Sequence, residues 1–153
     1  MENKKIAILT PTFSHYSGID RVVEQQAKDY SKKGNKVVVF ALEAAIKPQG
    51  FKLEVLGMPK SLFLQRLYRL FFSLDFIKFS KAVNKLKEYD VIISHQYPMN
   101  LIASAAKRKF CIKYVYHNHG IGYSELFSNP FESAYMKMFG YFNKLSLNNV
   151  DSA

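Results

Sequence analysis

The sequence predicts an open, doubly wound α/β domain with a mainly parallel sheet. Two observations carry this. Short apolar runs without alternation recur along the chain, as strands buried on both faces do. Between them lie longer segments whose apolar residues repeat at helical spacing, so strand and helix alternate.

The first run, "KIAILT" (Lys5–Thr10), is bounded by Pro11. A helix is predicted over Ile19–Lys33, with Ile19, Val22, Val23, Gln26, Ala27 and Tyr30 on one stripe and Gly34 as its stop. "KVVVFA" (Lys36–Ala41) is the second buried strand, which completes a βαβ unit of the right-handed, parallel kind. Phe51–Leu56 reads as a short strand, and Ser61–Tyr89 as one or two helices broken near Ser73. "DVIIS" (Asp90–Ser94) is a strand, Pro98–Lys109 a helix rich in small residues, and "IKYVYH" (Ile112–His117) another strand. A final helix is predicted from about Pro130 to Asn148. In this architecture a strand would follow it, so the chain is expected to be one half of a larger arrangement.

Length and composition agree with one domain over residues 1–153: apolar residues are 48% and charged residues 22%, ordinary values for a folded chain. Lysine and arginine total 22 against 12 acidic residues, a net charge of +10 that favours an anionic partner. The single cysteine, Cys111, can form no internal disulfide, which points to a reducing compartment, and it is read as a core residue at a strand start. Lys4 and Lys5 precede too short an apolar stretch for a secretory signal. No segment approaches the roughly 18 apolar residues of a membrane span. The expected location is cytoplasmic.

In an open parallel sheet, ligands bind beyond the carboxyl ends of the strands. Three predicted loops meet that condition: Pro11–Gly18, His95–Pro98 and Asn118–Tyr123. They carry His15, Tyr16 and Ser17; His95, Gln96 and Tyr97; Asn118, His119 and Tyr123, with Arg21 one turn into the first helix. Gly18 has two readings. Either it lets a ligand approach the positive start of a helix, or it merely makes the turn. A dinucleotide fingerprint needs three glycines where "SHYSGIDR" has one, and no Gly-Lys-Ser/Thr phosphate loop is present. His95, His117 and His119 could suggest zinc, but no nearby acid or cysteine completes a signature, and no metal is expected.

Three stretches together are similar to the N-terminal half of family 4 glycosyltransferases. The first is a strand ending in proline, a loop closing on Ser17 and Gly18, and "IDRVVEQQAKDYSKKGNKVVVFA". The second is "YDVIISHQYPMNLIASAAKRKFCIKYVYHNHG", and the third is "LNNVDSA". The family has a Gly-Gly pair where this chain has Ser17-Gly18.

The resemblance implies half of a GT-B fold, a Rossmann-like acceptor-side domain that faces a separate C-terminal donor domain. It implies sugar transfer from a UDP- or GDP-linked donor with retention of configuration and without a cofactor. The acceptor would be a lipid-linked sugar or saccharide, as in cell-envelope polysaccharide biosynthesis. Ser17 and Gly18 would lie beside the donor diphosphate and His119 against the transferred sugar, as the catalytic-site histidine. Tyr16, Arg21, His95, Gly120 and Tyr123 would line the substrate cleft, and His117 would pack structurally.

"SLFLQRLYRLFFSLDFIKFSKAVNKLKEY" carries more apolar residues than one core stripe needs, and its cations outnumber its acids. It is read either as a core helix with solvated charges or as an amphipathic helix for an anionic membrane surface, with Arg66, Arg69, Lys78 and Lys81 facing the lipid. The aromatics follow no RNA-binding pattern, so nucleic acid is not expected. Without catalysis of its own, the chain would instead be a stand-alone basic subunit that binds membrane or a partner.

Overall fold

A computed structural model describes residues 3–15, 17–119 and 128–152. Five strands, β1 (Lys5–Phe13), β2 (Lys36–Ala44), β3 (Lys52–Val55), β4 (Val91–Ser94) and β5 (Lys113–Tyr116), form a parallel sheet in the order β3-β2-β1-β4-β5. The helices are α1 (Gly18–Lys32), α2 (Leu62–Leu70), α3 (Phe76–Lys85), α4 (Met99–Phe110) and α5 (Pro130–Leu145). The doubly wound expectation holds.

The pleat sends alternate residues of β1 to opposite faces. Ile6 and Ile8 pack with Val23 and Ala27 of α1, whereas Ala7 and Leu9 pack with Ala82 and Val83 of α3 and with Met99, Ile102 and Ala103 of α4. Small residues on the inner face of α4, Ala103 and Ala106, are fully covered and let the helix settle close to the sheet.

Two strands run further than their apolar cores predict. β1 continues through Pro11 to Phe13 and β2 continues to Ala44. Proline is tolerated there because β1 pairs with β4 only over Ile6–Leu9. Beyond Leu9 it has one neighbour, so a missing N–H costs less.

The predicted break near Ser73 is a turn of 3-10 helix, Phe72–Leu74, after which Asp75 caps α3 by accepting from the Lys78 N–H at 3.1 Å. At the other end of the chain, Asp151 N–H donates to Tyr114 O and Tyr116 N–H to Ser152 O, each at 2.9 Å. Residue 152 thus bridges the free edge of β5 in parallel.

Cys111 departs from expectation. It is exposed and ends α4 in the left-handed conformation, at φ 56°, with its N–H donating to Lys107 O. Strand β5 starts two residues later, so the cysteine turns the chain instead of entering the core. Left-handed backbone costs a non-glycine residue about 1–2 kcal/mol. Cys111→Gly should therefore raise stability by about 1 kcal/mol, measured by denaturant melts; a loss would show that the thiol has packing value after all.

Candidate functional site

The order β3-β2-β1-β4-β5 places the topological switch between β1 and β4, where successive connections leave toward opposite faces and a crevice opens. The loop after β1, His95 directly after β4, and His117 and His119 directly after β5 all lie at that end of the sheet.

A buried carboxylate shapes the first loop. Asp20 is 1% exposed and accepts from Thr12 Oγ1 at 2.9 Å, Ser14 N–H at 2.8 Å and Ser14 Oγ at 2.5 Å. It therefore ties the end of β1 to the first turn of α1. Such hydrogen bonds to a charged group are worth about 1.5–3 kcal/mol each, and the positive start of α1 favours the anion further.

Ser17 is the N-cap of α1, its hydroxyl accepting from the Ile19 N–H at 3.1 Å. That explains the residue here in place of a second glycine: its oxygen satisfies a helix-start donor. Gly18 opens the helix without the left-handed backbone seen at Gly34, Gly50 and Gly57. A Cβ built on it would meet nothing within 4 Å. The backbone of the turn therefore does not require glycine, and the space in front of Gly18 is open. His15 and Arg21 are exposed at the same loop. Tyr16, Gly120 and Tyr123 lie outside the described residues.

Behind the loop, three imidazoles stack. The ring centroids of His95 and His117 are 5.0 Å apart, those of His95 and His119 also 5.0 Å, and those of His117 and His119 4.7 Å. His95 was expected on the cleft wall but has no exposed surface. Its backbone N–H extends the β1–β4 ladder to Leu9 O, which draws the residue inward. It meets His119 through Nδ1 at 2.7 Å and Gln26 of α1 through Nε2 at 2.9 Å. Burial, and then the neighbouring His119 and His117, hold the His95 pKa down at about 3. The same causes, burial first and then His117, lower that of His119. His119 is partly exposed. Among the described residues no group of three His, Cys, Asp or Glu is arranged to hold a metal ion.

A cleft of about 370 Å³ adjoins this network, lined in part by Gln26, Tyr30, His117 and Asn118. Sequence reasoning missed two residues here. Asp20 had a signal, since Ser17-Gly-Ile-Asp20 is the Ser-x-x-acid pattern of a capped helix start. Gln26 had a weaker one, as an amide within an apolar stripe.

The four basic residues assigned to a membrane face are not equivalent. Arg66 pairs with Glu132 of α5 at 2.5 Å. Lys78 donates to Gly57 O at 2.7 Å and lies 3.7 Å from Asp75. Arg69 is half-buried, and only Lys81 among the four is exposed with no ion pair recorded among the described residues.

Comparison with known proteins places these features in context. The profile of Glycosyltransferase Family 4 matches residues 16–152. Among solved structures, Anabaena HepE in complex with UDP-glucose shares 19% identity with a TM-score of 0.55, over 82% of this chain and 32% of its own. HepE in complex with UDP and glucose gives 19% and 0.57, over 82% and 33%. The chain thus spans about a third of the length of these structures. No curated protein sequence matches it.

The depressed pKa of His95 has a consequence for stability. Between about pH 3 and its ordinary value near 6.5, the unfolded chain binds a proton that the folded chain refuses. Stability should be complete above pH 6.5 and fall on acidification, by up to about 1.4 kcal/mol per pH unit from this residue. Denaturant melts from pH 7 to 4.5 should show that slope, and His95→Gln should flatten it; an equal slope in the variant would assign it elsewhere.

Proposed function

The chain belongs to glycosyltransferase family 4, and on that premise we propose that it is the acceptor-side domain of a retaining, two-domain enzyme. The enzyme would transfer a sugar from a UDP- or GDP-linked donor to a lipid-linked or saccharide acceptor. One observation supports this reading: the open Gly18 helix start and the partly exposed His119 both follow strands at the same, carboxyl end of the sheet. Gly18 leaves room for a diphosphate at the positive end of α1, while His119 offers an imidazole toward a sugar. Ser17 contributes by capping that helix, and Arg21 adds a cation one turn on.

The donor would be gripped mainly by a second domain across the crevice. Residue 152 lies against the open edge of β5, in keeping with a sheet that extends on that side. HepE, a protein of the same fold, holds UDP-glucose within a chain of which the matched part is only 32%.

A peripheral contact with an anionic membrane is the second part of the proposal. Leu62, Phe63, Leu74, Phe76 and Ile77 are each at least 65% exposed. Phe131, 84% exposed, stands on α5 beside the Arg66–Glu132 pair, so α2 and α5 present apolar groups together. No helix among the described residues is long and apolar enough to cross a membrane, so lipid contact would be interfacial. The same surface would serve a stand-alone membrane- or partner-binding subunit, and activity separates the two readings.

In the full-length enzyme, Gly18→Val should melt within about 1 kcal/mol of the parent, since no atom lies within 4 Å of a Cβ placed there. Its transfer rate should nevertheless fall about a hundredfold through a misplaced reactant, and His119→Ala should likewise lose turnover while staying folded. Residues 1–153 alone should transfer nothing; detectable transfer by them would overturn the two-domain reading.

Anionic vesicles should sediment the protein at low salt and release it at high salt. Leu62→Ser with Phe63→Ser, or Lys81→Glu, should weaken that binding. Equal recovery on neutral and anionic vesicles would reduce the surface to a solvated face.

A further inference from the structure

Gln26 sits on α1, far in sequence from the histidines, yet its amide joins two of them. Oε1 lies 2.9 Å from Nε2 of His95, and Nε2 lies 2.8 Å from Nδ1 of His117. His95 in turn places Nδ1 2.7 Å from Nε2 of His119. The hydrogen-bonding capacity of each group assigns the protons. An amide oxygen only accepts, so His95 Nε2 carries the hydrogen. A neutral imidazole has one N–H, which leaves His95 Nδ1 as a lone pair and makes His119 Nε2 the donor to it. An amide nitrogen only donates, so His117 Nδ1 accepts. His95 is neutral because its ring is wholly buried against two other imidazoles, with no carboxylate bonded to it among the described residues.

We propose that Gln26 and His95 are positioning residues that set the tautomer of His119, holding its proton on Nε2 and leaving Nδ1 as the acceptor nitrogen. A ring nitrogen's protonation state is dictated by the bond its other nitrogen makes, and here that bond is relayed from an amide two partners away. Half a turn of the Gln26 side-chain amide would reverse every donor and acceptor in the series. The orientation of one amide therefore governs whether His119 meets a ligand as acceptor or as donor. As an acceptor, Nδ1 suits a hydroxyl and not a phosphate oxygen, which has no hydrogen to give. This last consequence rests on the ligand-facing role proposed for His119; the relay itself does not.

Two-bond ¹H–¹⁵N correlation spectra of the ¹⁵N-labelled full chain read the tautomer of each imidazole near neutral pH, with no nucleotide-sugar present. The expected spectrum shows His119, His95 and His117 each as a single Nε2–H form. Gln26→Met keeps the length of the side chain and removes both polar ends; His119 should then lose its single form and average between tautomers. Gln25→Met, the exposed neighbour on α1, should leave it unchanged. A His119 protonated on Nδ1 in the parent protein would overturn the proposal without need of any variant. So would an unaltered His119 pattern in Gln26→Met. Failure of this test leaves the transferase reading standing, and an inactive enzyme with the expected spectrum would do the reverse.

Discussion

Strand β1 is paired on both sides in parallel, with β2 along its whole length and with β4 over Ile6–Leu9. The rest of the structure depends on that constraint. A central parallel strand has no face left for water, so its alternate side chains must be covered from both sides. Helix α1 covers one face, and α3 and α4 the other. Because the chain leaves β1 toward one layer and β4 toward the other, the two exits part and open the crevice. The same exits set the loop before Gly18 and His95 on either side of it.

Polar groups at this crevice are buried, and each is held by a specific device. Asp20 meets donors from Thr12 and Ser14, so its charge is compensated by hydrogen bonds instead of water. His95 meets the opposite solution: surrounded by rings and one amide, it stays neutral. A buried anion beside a helix start and a buried neutral imidazole both avoid an uncompensated charge in a low dielectric. The loop and the histidines are thereby held in place by the fold itself.

The helices remote from the crevice obey a different balance. Leu70 and Phe72 anchor the α2 segment in the core, while Leu62, Phe63, Phe76 and Ile77 stay in the open. The segment is therefore neither a core helix nor a simple solvated one. Its cations are partly spent on internal pairs, Arg66 with Glu132 and Lys78 with Asp75 and Gly57, which tie α2 and α3 to their neighbours. What remains outward combines these apolar side chains with the exposed cations Lys81, Lys85 and Lys87.

By itself the sequence determined the class of the fold, the order of its elements and which loops leave the carboxyl ends of the strands. These follow from local patterns: uninterrupted apolar runs make buried strands, helical spacing makes the covering helices, and Gly34 ends α1 wherever the chain lies. The resemblance carried by Ser17-Gly18, Asp90–Ser94 and His119 likewise needs only residue order. Tertiary structure alone decided which polar groups meet. Gln26 contacts residues 69 and 91 positions away, and Asp20 reads as an ordinary first-turn acid until β1 is folded back upon it. It also decided against the core placement of Cys111 and the exposure of His95. Both depend on where a strand begins and which ladder a backbone N–H joins, and neither is encoded in the period of the side chains. Periodicity specifies the face a residue takes; only the packed sheet specifies what lies opposite that face.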